Sequence, residues 1–272
     1  MLTAESVLLL DAQGTVLFAK NPEEEHAPAS LVKLMTLYLA YEDLDGGRVT
    51  WEEPVTVSLR AARTPRFRMG VRAGETVPFG VLLEGVAIAS ANDAATAVAE
   101  HLGGDEESFV ARMNAKAQDL GLAATRFTNP HGLPDATQRS TARDIAVLTD
   151  HLLREHPAVR TLLGGKAFIY RGRLYTRRVP PFIEAGGVQA FKTGFTHEAG
   201  YNLAVAAWLD GQRFLGIVLG APTRGLSFLD AQKLLRYGAI QSGLEPPGED
   251  GRPSLPRRGH GRQSRASVPT LN

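Results

Sequence analysis

Residues 28–44 read PASLVKLMTLYLAYEDL, an apolar-rich stretch entered through Pro28 and closed by Asp45-Gly46-Gly47. Apolar residues over Leu31–Leu44 predict a helix, with the proline at its entrance and glycines past its end. Ser30 and Lys33 stand three residues apart at its start, a spacing that puts both on one helical face. A serine hydroxyl is a poor nucleophile unless a base takes its proton, and a neutral lysine amine is such a base when its pKa is lowered. Taken alone, the same pair also reads as a helix-capping serine beside a solvated lysine.

Working outward from this stretch, Ser6–Asp11 and Thr15–Lys20 are short apolar runs around Ala12-Gln13-Gly14, the pattern of a β-hairpin. C-terminal to it, Val55–Val57 is a short strand candidate and Arg60–Gly74 reads as basic, Pro/Gly-punctuated loop. Pro78 is placed to be the first residue of a helix reaching about Ala89. A break at Ser90-Ala91-Asn92 precedes a second helix from Asp93 to about Leu102, and Glu106–Leu120 forms a third. Thr125–Arg139 carries loop signals, and Ser140 or Thr141 can cap a helix to about Glu155. From Lys166 to Leu219 the pattern turns to strands, with ends marked by Arg171-Gly172-Arg173, Gly186-Gly187 and Asp210-Gly211. Ser227–Ile240 reads as a last amphipathic helix. Strands at both ends with helices between them predict an α+β fold in which one antiparallel sheet is joined from N- and C-terminal segments.

The chain has 272 residues and a formal net charge of +1, which excludes a strongly basic nucleic-acid footprint. No cysteine is present, so disulfides and thiolate metal sites are excluded. No apolar run reaches the roughly 18 residues of a membrane-spanning helix. Met1–Leu10 lacks a basic n-region and does not read as a signal peptide. Residues 1–242 are expected to form one catalytic domain with a helical block over about 30–155. Residues 243–272, rich in Gly, Pro and Arg, are expected to be a disordered basic tail.

Two further motifs matter. Ser90-Ala91-Asn92 puts a hydroxyl and an amide at an interhelical break, where they can relay a proton and hold a substrate amide, or simply cap the next helix. Lys192-Thr193-Gly194, on a strand, supplies a positive charge, a hydroxyl and a position where another backbone can approach closely. In this order the three patterns are S-x-x-K, S-x-N and K-T-G, the signature of active-site-serine penicillin-recognising enzymes.

The chain resembles the low-molecular-mass D-alanyl-D-alanine carboxypeptidases, the peptidase S11 group of penicillin-binding proteins, over about residues 5–240. The resemblance rests on Pro28-Ala29-Ser30, Lys33-Leu34-Met35-Thr36, Ser90-Ala91-Asn92-Asp93-Ala94-Ala95, Asn129-Pro130-His131-Gly132-Leu133, Ser140-Thr141-Ala142-Arg143-Asp144, Lys192-Thr193-Gly194-Phe195-Thr196 and Ala199-Gly200-Tyr201-Asn202. It implies a serine DD-peptidase/β-lactamase-like fold with an all-helical subdomain, and a Ser30 acyl-enzyme. Lys33 would be the base, Ser90 would pass a proton to the leaving amine, and Asn92 would hold Lys33 and substrate. Lys192 and Thr193 would bind the terminal carboxylate beside Gly194, and the N–H groups of Ser30 and Phe195 would form the oxyanion hole. Asp144 and His131 match family positions and are read as structural. Two departures are Ala91, where many members carry glycine, and Ser227, at about the place of a carboxylate-binding arginine, with Arg224 three residues earlier.

The implied reaction is removal of the terminal D-alanine from peptidoglycan stem peptides, without metal or organic cofactor, and with β-lactams as inhibitors. Peptidoglycan is the implied partner, not nucleic acid, and the implied location is outside the cytoplasmic membrane. The C-terminal segment does not suggest a membrane anchor. Endopeptidase cleavage of cross-links uses the same machinery. A β-lactamase of class A type would want a glutamate for deacylation, and no Glu-x-x-Leu-Asn lies between Ser90 and Lys192. A catalytically silent wall-binding protein would usually have lost the serine or lysine kept here.

Overall fold

The structure, a computed structural model, describes residues 1–177, 179–180, 183 and 187–245. The expected hairpin forms as β1 (Ser6–Leu10) and β2 (Val16–Lys20), with Gly14 at φ 81 in the turn. β1 also pairs with β9 (Gln212–Ala221), which pairs with β8 (Gly200–Leu209), which pairs with β7 (Val188–Thr196). The result is one antiparallel sheet in the order β2-β1-β9-β8-β7, drawn from both ends of the chain. β7, the strand carrying Lys192-Thr193-Gly194, is an edge strand.

Alternate residues of a strand face opposite sides of its sheet, and here both sides are apolar. Leu8, Leu10, Ala204, Ala206, Leu215 and Ile217 pack into the core shared with the helical block. Val7, Leu9, Leu203, Val205, Phe214 and Val218 pack on the opposite side, with the closing helix. β1 is therefore buried along its whole length, a continuous SVLLL run without polar alternation.

The helical block starts with a 3-10 turn (Ala29–Val32) running into α1 (Lys33–Asp45). Lys33–Tyr41 are buried on every side, so α1 is the central helix of the block. Around it lie α2 (Leu59–Arg63), α3 (Phe79–Ala87), α4 (Asn92–Gly103), α5 (Glu106–Asp119), α6 (Ala142–Glu155) and α7 (Val159–Gly164). α8 (Arg224–Gln241) closes the other face of the sheet. Thr141 is the cap of α6, its hydroxyl accepting from Asp144 N–H at 3.1 Å. Among the described residues no helix is long and apolar enough to cross a membrane.

Several expectations need correction. Arg60–Gly74 is not all loop: α2 starts behind Ser58, whose hydroxyl accepts from Ala61 N–H at 2.9 Å, and one short Arg-rich turn leaves no apolar period to read. Pro78 is not inside a helix. It ends β4 (Thr76–Pro78), which pairs with β3 (Pro54–Thr56), and α3 starts one residue later. A proline is tolerated there because the two strands form only a short ribbon. α7 was not expected. β5 (Ala167–Tyr170) and β6 (Arg173–Thr176) form their own hairpin outside the main sheet. The last helix begins at Arg224, capped by the Thr223 hydroxyl, rather than at Ser227. Gly186, from one of the three expected strand ends, and most of the expected C-terminal tail (246–272) lie outside the described residues.

Candidate active site

Ser30 sits in the 3-10 turn at the front of α1 and is half-buried. The turn is tight: Ala29 is held at φ 48, a left-handed conformation costly for a residue with a Cβ. Three pieces of chain hold it. A Cβ on Gly194 of β7 would lie 3.0 Å from both Pro28 O and Ser30 N, so strand and turn are already in contact. Gly132, at φ 86, backs onto the same turn, where a Cβ would overlap the Ala29 carbonyl and come within 2.8 Å of Ser30 N. Asn202 of β8 donates to Ala27 O at 3.0 Å and accepts from Gly220 N–H at 2.9 Å, tying the turn to two strands.

Lys33, at the first position of α1, is fully buried. Its Nζ lies 3.2 Å from Ser30 Oγ, 2.7 Å from Asn92 Oδ1 and 2.5 Å from the carbonyl oxygen of His131. Burial lowers the Lys33 pKa to about 7, opposed by the negative charge of Asp93. A neutral amine has two N–H bonds and one lone pair. Asn92 Oδ1 and His131 O can only accept, so they take the two N–H bonds, and the lone pair is left for the Ser30 hydroxyl. In its neutral form the amine is therefore held in the orientation a base requires.

Asn92 opens α4, and its amide is used at both ends. Its oxygen accepts from Lys33 and its Nδ2 donates to Pro65 O at 3.1 Å. Next to it, the buried Asp93 carboxylate accepts from the N–H groups of Met69, Gly70 and Val71 at 3.0, 2.8 and 3.2 Å. His131 is neutral in character: burial and the neighbouring Lys33 and Arg60 charges lower its pKa to about 3, and its Nδ1 accepts from Leu133 N–H at 3.2 Å.

The opposite wall is made by Ser90 and β7. Ser90, at the break between α3 and α4, is held at φ 55. Its Oγ accepts from Lys192 Nζ at 2.8 Å, and Lys192 also donates to Thr193 O at 2.9 Å. Lys192 is buried, and burial together with the Lys33 and Arg177 charges drives its pKa well below the usual lysine value. Thr193 and Phe195 are half-buried on the same strand, and the Phe195 ring stacks on Tyr201 with centroids 4.3 Å apart. Ser30, Lys33, Asn92, Ser90 and Lys192 thus form two hydrogen-bonded groups facing each other, with Gly194 touching the Ser30 turn. The three sequence motifs come from separate parts of the chain and converge here.

A match to the family model for peptidase S11, D-alanyl-D-alanine carboxypeptidase, covers residues 1–223. The chain belongs to this family. Among its relatives, D-alanyl-D-alanine carboxypeptidase DacF of Bacillus subtilis is 35% identical over 251 residues, which is 89% of this chain and 64% of the relative. The chain therefore spans less than two thirds of that relative's length. Penicillin binding protein 5 from Haemophilus influenzae has a similar structure, with TM-score 0.84, 34% identity and coverage of 88% of this chain and 72% of that one. Penicillin-Binding Protein D2 from Listeria monocytogenes, solved in its cefotaxime-bound form, matches with TM-score 0.76 and 29% identity over 88% of this chain and 98% of that one.

Within this S11 chain, sequence reasoning missed the carbonyl of His131 as a partner of Lys33, since a backbone oxygen carries no residue signature. It read Asp144 as structural, and the structure agrees in detail: its carboxylate accepts from Ala124 N–H and the Thr125 hydroxyl at 2.9 and 2.7 Å. Ser227 does not replace an arginine functionally, because it is buried and its hydroxyl donates to Arg224 O at 2.8 Å within the helix. Among the described residues no group of three or more His, Asp or Glu side chains could hold a metal ion.

Proposed function

We propose that this chain is a serine-type D-Ala-D-Ala carboxypeptidase that removes the terminal D-alanine from peptidoglycan stem peptides. The observation that carries this reading is the Lys33 amine, fixed by two acceptors with its lone pair toward Ser30 Oγ. Ser30 attacks the scissile carbonyl as its proton passes to Lys33. The oxyanion sits against the N–H groups of Ser30 and Phe195; losing one donor of this kind typically costs on the order of 10²–10³ in rate. The C–N bond then breaks as Ser90, held by Lys192, passes its proton to the leaving amine, and the proton on Lys33 replaces it, which returns Lys33 to the neutral form. Water then attacks the Ser30 ester, giving its proton to Lys33, and that proton passes to Ser30 Oγ as the acyl C–O bond breaks.

Lys192 and the Thr193 hydroxyl receive the terminal carboxylate. An anion there offsets the cost of burying the lysine charge, so substrate binding favours the protonated form. β7 is a sheet edge, and Gly194 lets a peptide backbone lie against it. A β-lactam presents a strained amide and a carboxylate at similar places and acylates Ser30; its slow release makes it an inhibitor. Because the substrate is wall peptidoglycan, we place the enzyme outside the cytoplasmic membrane.

The test is D-alanine release from a diacyl-Lys-D-Ala-D-Ala peptide and from cross-linked muropeptides. Release from the linear peptide, abolished by Ser30→Ala, supports the carboxypeptidase. Cleavage confined to cross-links would replace it with an endopeptidase.

A further inference from the structure

The S-x-N wall is attached to a segment that the proposed reaction leaves unused. Asn92 N–H donates to Phe67 O at 2.7 Å, and Asn92 Nδ2 donates to Pro65 O at 3.1 Å. The turn between those carbonyls is strained: Arg66 at φ 57 and Phe67 at φ 26 are consecutive non-glycine residues with positive φ. Such strain persists only where surrounding contacts over-determine it, and it gathers at functional sites. Here the contacts come from the same asparagine that holds Lys33.

What the turn projects is also unusual. Phe67 is 59% exposed. Four arginines lie within nine residues of one another, and two are already engaged. Arg60 pairs with Glu106 at 3.2 Å, and Arg68 donates to the Ala62 carbonyl and faces Asp93 at 3.8 Å. Arg63 and Arg66 are exposed and make no ion pair among the described residues.

In the proposed reaction the terminal carboxylate is at Lys192 and Thr193, the leaving amine at Ser90, the scissile carbonyl at Ser30 and the acyl side at Asn92. The turn is fastened to this acyl-side residue through the carbonyls of Pro65 and Phe67.

We infer that the Pro65–Arg68 turn is an acyl-side subsite in which Arg66 pairs with an anionic group on the residue preceding D-Ala-D-Ala, beside the Phe67 ring. This deepens the proposed function and rests on it. An exposed ion pair of this kind is a modest one, so it sets a preference rather than an absolute requirement.

The experiment compares three peptides X-D-Ala-D-Ala in which X is Nα-acetyl-2-aminoadipate, Nα,Nε-diacetyl-lysine or Nα-acetyl-lysine: acidic, neutral and cationic at similar length. Rates are normalised to active sites titrated with benzylpenicillin. The wild type should favour the acidic over the neutral peptide about threefold to fivefold in kcat/KM, with the cationic peptide slowest. High salt should flatten the series. Arg66→Ala should bring the acidic-to-neutral ratio close to one, and Arg66→Glu should invert the order. A ratio unmoved by Arg66→Glu, or a wild type favouring the cationic peptide, overturns the subsite. Inversion by Arg63→Glu with Arg66→Glu inert overturns the assignment to Arg66. A wild type that neither binds penicillin covalently nor releases D-alanine overturns the underlying function, a result distinct from an active enzyme indifferent to X.

Discussion

A completely buried lysine must give up its charge or find a carboxylate, and for Lys33 burial outweighs the nearby Asp93. Burial brings its pKa to about 7, while Asp93 keeps it from falling further. The sign of the resulting pH dependence is fixed, because only the neutral amine can take the Ser30 proton. Acylation by penicillin should rise with pH through about 7 and level off above it. A limb near the ordinary lysine value would contradict the role. Lys33→Ala should abolish acylation, and Lys33→Arg should do nearly the same, since a guanidinium stays protonated. Stopped-flow acylation rates against pH check both. At this scale the sequence is informative about side chains and silent about backbone. Ser30 and Lys33 were legible from the three motifs taken together rather than from their spacing alone, whereas the His131 carbonyl completing the lysine's shell was not legible at all.

At the scale of elements, the site depends on glycines that let separate segments touch. Gly132 leaves no room for a Cβ beside the Ala29 carbonyl, and its φ of 86 disfavours any other residue. Gly132→Ala should therefore push the Ser30 turn off its position and slow penicillin acylation at least tenfold. Because the residue is at the site, the fold should survive, and far-UV circular dichroism beside the acylation rate separates the two. An unchanged acylation rate would show that the turn tolerates displacement. The long elements were readable because they carry such signals as the closing glycines of α1 or the capping threonine and apolar period of α6. The pieces that escaped notice are too short for a period to register: five residues in α2, three in β4 and six in α7. α2 nonetheless leads into the turn fastened to Asn92.

At the scale of the molecule, the sheet needs both chain ends. Asp230 of α8, fully buried, accepts through one carboxylate oxygen from Thr3 N–H at 2.7 Å, the Thr3 hydroxyl at 2.8 Å and Ala4 N–H at 2.8 Å. These bonds fasten the closing helix to the residues entering β1. Hydrogen bonds to a charged group contribute about 1.5–3 kcal/mol, and each kcal/mol moves the melting point of a chain this size by about 2–4 °C. Asp230→Ala should lower Tm by about 5–10 °C, read by calorimetry, while penicillin labelling at 25 °C stays complete. A shift under a degree would mean the two ends are held by packing alone. The joining of N- and C-terminal strands was legible from their placement around the helices. The Thr3–Asp230 link was not, because nothing local marks two residues so far apart in sequence as partners.

The central claim is that Ser30 is the nucleophile of a penicillin-recognising site. Intact-mass spectrometry after incubation with benzylpenicillin, followed by mapping of the modified peptide, tests it most directly. The account predicts one adduct of penicillin mass on the wild type, located on Ser30, and none on Ser30→Ala. Equal labelling of Ser30→Ala, or an adduct on another residue, would contradict it.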